Sequence, residues 1–144
     1  MLEMDVKGQA SVEYLLLALV FLIIIGSITV PLVGKSIDTS MDVSDTANVN
    51  AAISTITNAV GLVYSNGPGS KRTLNVYFPV SGTLSVVNGR LQMPVVLSDS
   101  TTKVVNATVP TNVTLVNPNV NKGNYNVTVT WASGANPIIV TLTS

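Results

Sequence analysis

An apolar run from Leu15 to Val33, with the lone carboxylate of Glu13 at its mouth, constrains this chain more than any other feature. Nineteen residues in a helix rise about 28 Å, close to the ~30 Å hydrocarbon thickness of a bilayer. Glu13 is the only charge between Gln9 and Lys35. An ionised side chain at bilayer depth is penalised by roughly 2.5–3.5 kcal/mol, so such a residue is a functional candidate by default. A secretory signal has an apolar core of about 7–15 residues followed by a small-x-small cleavage site. This run is longer, and no Ala-x-Ala follows it.

Gly26, Ser27, Thr29 and Pro31 interrupt the run. Proline in a helix removes one hydrogen bond and crowds the carbonyl four residues back, here Ser27. The expectation is a kink or loosened turn over 26–31, marked by Gly26 and Pro31. Ser and Thr hydroxyls are available to satisfy the freed carbonyl. From Val33 onward, Val33, Ile37, Met41, Val49, Ile53, Ile56, Val60 and Val63 recur at steps of three and four, apart from one gap. That is one stripe of an amphipathic helix. Asp38, Asp42 and Asp45 read as lying off the stripe on a solvated face, with Lys35 an i, i+3 partner for Asp38. Ser65-Asn66-Gly67-Pro68-Gly69-Ser70 stops the helix.

Residues 72–144 read as β structure. The clearest hairpin is 83–87 and 90–93 around Asn88-Gly89, a pair suited to a two-residue type I′ turn. That register places Val86 opposite Leu91 and Leu84 opposite Met93. Further strands are expected at 74–79, 94–97, 102–109, 112–116, 125–131 and 137–143. Tyr125, Val127, Val129 and Trp131 alternate with Asn126, Thr128 and Thr130, as in a strand with one buried face. About 75 residues make a marginal core alone, so packing against residues 45–64 is expected to complete it.

Composition excludes several functions. The chain has no Cys and no His, hence no disulfide framework, no thiolate or Ser-His nucleophile, and neither of the two commonest transition-metal ligands. No catalytic carboxylate pair or glycine-rich phosphate loop is present, so no enzyme activity, cofactor or metal is expected. Lys71-Arg72 is the only adjacent cation pair, which leaves no electrostatic footprint for nucleic acid. Three N-glycosylation sequons stand at Asn106-Ala107-Thr108, Asn112-Val113-Thr114 and Asn126-Val127-Thr128. In a strand, Asn and Thr two apart share a face, so Asn106, Asn112 and Asn126 are expected to point outward.

Lys7-Gly8-Gln9-Ala10-Ser11-Val12-Glu13-Tyr14-Leu15, joined to the apolar run, resembles the N-terminus of archaeal type IV pilins with a class III signal peptide. The resemblance covers residues 7 to about 33 and implies cleavage between Gly8 and Gln9. It implies assembly roles for Gln9, Glu13, Tyr14 and Leu15, with Glu13 meeting the new α-amine of a neighbouring subunit. It also implies a prepilin peptidase, an assembly ATPase and a membrane platform protein as partners, beside copies of the chain itself. The expected architecture is α+β: a leader over 1–8, a long helix over 9–64 with its membrane or filament-core segment at 15–33, a linker over 65–71, and a small antiparallel β domain over 72–144. The expected function is a structural subunit of an extracellular filament for surface adhesion, held in the membrane before assembly. The alternatives are a permanently anchored glycoprotein or adhesin that does not polymerise, and a minor pseudopilin of an export system.

Overall fold

The computed structural model describes residues 6–134 and 137–144, with side chains from residue 11 onward. Met1–Asp5, most of the expected leader, therefore lie outside the described residues, as does the side chain of Gln9. A single helix, α1 (Val6–Asn66), is followed by nine strands among the described residues: β1 (Lys71–Phe78), β2 (Gly82–Thr83), β3 (Ser85–Val87), β4 (Arg90–Val96), β5 (Thr102–Thr108), β6 (Val113–Val116), β7 (Asn119–Val120), β8 (Gly123–Thr130) and β9 (Ile138–Thr143). The class is α+β. The chain divides into two units, residues 1–40 and residues 41–144.

The second unit holds the core. Val49, Ile53, Ile56, Val60 and Val63 of α1 are buried together with Ala52 and Ala59. They meet Val76 and Phe78 of β1, Leu91, Met93 and Val95 of β4, Val127 and Val129 of β8, and Ile138, Val140 and Leu142 of β9. Full burial of such aliphatic side chains contributes about 1.5–3 kcal/mol each. Polar Thr, Asn and Ser on the remaining face of this helix segment leave a single apolar stripe to bury. Two aromatic pairs extend the core. Phe78 meets Tyr125 edge-on at 5.8 Å, and Tyr64 stacks on Trp131 at 5.6 Å.

The upstream half of the expected stripe is not core. Val33, Ile37 and Met41 are exposed, whereas Asp42 and Asp45 are half-buried. The reason is the helical period. Asp42 stands seven residues before Val49, two turns back on the same face, while Met41 is rotated from it by about 100°. The buried line therefore continues into the two aspartates, contrary to their reading as a solvated face.

Gly67 ends α1 at φ 86°, and its N–H donates to the carbonyls of Val63 and Tyr64. This left-handed position suits glycine because no Cβ meets the preceding carbonyl. Gly69 N–H then donates to Trp131 O, and Trp131 N–H to Ser70 O, which brings the chain into β1 beside β8.

One sheet has the order β1-β8-β9-β6, a second has β3-β4-β5, and β2 pairs with β7. The pairing departs from the expected all-antiparallel domain at one place: β6 runs parallel to β9. The intervening β7 and β8 form a crossover, which is what a parallel pair requires. Asn88 and Gly89 adopt φ 51° and 71°, as a type I′ turn demands, and Val86 lies opposite Leu91. The expected Leu84–Met93 pair does not form, because the ladder ends at Ser85 opposite Gln92 and Leu84 N–H turns to Pro118 O at 2.9 Å. The two strands expected at 90–93 and 94–97 are one, β4. Pro94 is accommodated where β3 has already ended, so its missing N–H costs the ladder little.

Candidate functional site

The first candidate is the apolar part of α1. Its backbone is helical from Val6, so the Gly8–Gln9 peptide lies within the helix. From Val12 to Ile37 the large apolar side chains are exposed, from 45% at Ile25 to 76% at Tyr14. Glu13, Tyr14 and Leu15 are all exposed at the start of this stretch. A helix apolar on every side is stable in water only when something else covers it. The helix is also long and apolar enough to cross a membrane.

The polar residues within the run turn onto their own backbone. Ser27 Oγ donates to Ile23 O and Thr29 Oγ1 to Ile25 O, both at 2.8 Å. Ser36 and Thr39 do the same to Leu32 O and Lys35 O. Hydroxyls bonded in this way present no unpaired donor to an apolar surrounding. The helical backbone runs unbroken through Gly26 and Pro31. The two hydroxyls serve the carbonyls of Ile23 and Ile25 and not that of Ser27, the carbonyl deprived of its N–H by Pro31.

The second candidate is the junction of α1 with the β4–β5 turn. The Asp42 carboxylate accepts from Ser98 N–H at 3.0 and 3.1 Å and from Ser98 Oγ at 2.5 Å. Beside it runs an open groove of about 510 Å³, lined on the α1 side by Asp42, Val43 and Asn50 and on the β5 side by Lys103, Val104 and Asn106. Within the turn, the Thr101 hydroxyl and N–H both donate to Asp99 and hold its carboxyl below the usual carboxylate range. Sequence reasoning missed the Asp42 contact. Its signal was the seven-residue step from Asp42 to Val49, which places an acid on the buried line.

The third group is the sequon asparagines, and all three are exposed. Asn106 lies on β5 and its Oδ1 accepts from Arg90 Nη1 at 3.2 Å. Asn112 precedes β6, and its carbonyl accepts from Ile138 N–H. Asn126 is central in β8, with Oδ1 accepting from Asn75 Nδ2 at 3.3 Å across the β1 pair. Among the described residues, His, Cys, Asp and Glu form no cluster of three able to hold a metal.

No protein-family model, curated protein or solved structure matches this chain. The structure itself establishes one long apolar N-terminal helix followed by a small β region. That arrangement is compatible with membrane anchoring or a signal sequence, and with a pilin-like fold.

Proposed function

We propose that this chain is a pilin-like structural subunit: its N-terminal helix waits in a membrane and then bundles with copies of itself in the core of a surface filament. The observation that carries the reading is the all-round exposure of apolar side chains from Val12 to Ile37, in a chain whose other unit buries its apolar residues closely. Bilayer and helical bundle are the two surroundings that would cover such a surface. The Gly8–Gln9 junction and Glu13, at positions resembling those of archaeal type IV pilins, favour transfer from the first surrounding to the second. On this reading a prepilin peptidase cuts before Gln9, and an ATPase with its platform protein extracts the subunit. The Glu13 carboxylate then pairs with the Gln9 α-amine of a neighbour. The β unit faces outward with sugars on its sequon asparagines and makes the adhesive contacts.

Sequencing the N-terminus of the mature protein tests this. Gln9 as first residue, in material sheared from the cell surface, is the expected result. Met1 retained in a membrane-bound, unsheared protein would show a permanent anchor and sink the filament reading.

A further inference from the structure

Each of the two sheets has an outermost strand bonded on one side only among the described residues, β1 in one and β5 in the other. At their other ends the sheets adjoin, β3 beside β6, and the Leu84 N–H bond to Pro118 O joins the chain there. The two open edges flank α1 on opposite sides. The groove at β1 is lined by Thr55, Asn58 and Leu62 of the helix, and the groove at β5 by Val43, Ala47 and Asn50. At 100° per residue, these two sets fall on opposite flanks of the buried line through Val49, Ile56 and Val63. An open edge is a template for a strand of a second copy. Two unlike edges on opposite flanks would join head to tail, and a contact of that kind extends without closing.

Both edges carry the same feature. Arg72 of β1 lies opposite Val129, and Lys103 of β5 lies opposite Val95. Val129 and Val95 are buried, and residues directly opposite share a face, so each cation stands on the core-facing side of its strand. Each is exposed because the edge beside it is open. The inner faces of the interior strands carry apolar residues instead: Leu91, Met93 and Val95 in β4, and Val127 and Val129 in β8.

We propose that Arg72 and Lys103 determine what the β unit does not bind: they close both sheet edges to strand addition by a second copy. A strand added at β1 would enclose the Arg72 guanidinium between sheet and helix, beside Thr55, Asn58 and Leu62, which offer no acid. At β5 Asp42 is the only acid lining the groove among the described residues, and it is already engaged by Ser98. A desolvated cation without a partner opposes the pairing. Self-association of this chain through the β1 and β5 edges is thereby opposed, whether or not it forms filaments.

The test uses the detergent-solubilised full chain, with sedimentation and light scattering to follow its size. Arg72→Thr/Lys103→Thr is expected to lower by about tenfold, equivalent to about 1.4 kcal/mol, the concentration at which large species appear. Each single substitution leaves the other cation in the head-to-tail contact and is expected to lower that concentration by less than the double variant does. Lys71→Thr/Lys122→Thr removes the same charge from the outer face of β1 and from a loop, and is expected to match wild type. Because the chain has no Cys, Tyr77→Cys copies mixed with Val104→Cys copies report edge contact directly, with disulfide cross-links expected only in the Arg72→Thr/Lys103→Thr background. A double variant as dispersed as wild type, or association of the Lys71→Thr/Lys122→Thr control to the same extent, would overturn the proposal. Should the double variant fail to fold, the single variants decide, and no shift from wild type in either of them overturns it equally.

Discussion

Glu13 shows how one residue can separate two surroundings. It is exposed at the start of a helix segment with no other charge before Lys35. As a first-turn acid in water it would contribute only about 0.3–1 kcal/mol through the helix dipole. In the proposed filament it neutralises a neighbour's α-amine away from water. Glu13→Ala is therefore expected to leave membrane insertion intact or improved, since a costly polar group is gone. Assembly is expected to fail, because an amine buried without its partner costs about 3–5 kcal/mol. Comparing membrane-fraction protein with sheared filaments checks this, and wild-type filament yield from the variant would remove the charge pair. The residue was conspicuous in the sequence because its neighbours are apolar, whereas Asp42 was not. Asp42 sits among polar residues, and its partner Ser98 is 56 positions away.

At the scale of elements, that pair ties α1 to the β4–β5 turn at the first residues of the second unit. A charged acceptor taking the Ser98 N–H and hydroxyl is worth about 1–2 kcal/mol here, once partial exposure is discounted. Asp42→Ala is expected to lower the thermal midpoint of the β unit by roughly 5–10 °C. Asp42→Asn, which keeps one acceptor oxygen, should fall between the variant and wild type. Circular dichroism melts of the full chain in detergent decide it, and an unchanged midpoint for Asp42→Ala would show that the bonds contribute nothing. The strands themselves were readable because β1, β8 and the Asn88-Gly89 hairpin follow period two and turn chemistry. Where β4 continues through Pro94, local propensity argued for a break. The break is absent because proline only harms a strand whose N–H a neighbour needs, and β3 has ended by then.

For the whole molecule, the proposed outward face of the β unit carries the sequons. Replacing Asn106, Asn112 and Asn126 by Gln is expected to reduce the mass of the mature protein to that of the polypeptide without unfolding it, because all three side chains are exposed. Mass spectrometry of the wild type checks the premise, and a bare polypeptide mass there would show the sites unused. Small shifts in stability are expected from Asn126 and Asn106 alone, since their amide oxygens accept from Asn75 and Arg90.

The sequence by itself determined the long helix, its apolar run, the hairpin turn and the inward face of β8. These depend on interactions between residues a few positions apart, where helical and strand periods and glycine's freedom at φ 71° and 86° are decisive. Tertiary structure alone decided that β6 would run parallel to β9, and that Ser98 would meet the Asp42 carboxylate. It also decided that Arg72 and Lys103, unremarkable in sequence, would stand on the inner faces of the two open edges. Those outcomes depend on which strands become neighbours. That choice is made by burial of the whole core at once, between residues that nothing in their local sequence brings together.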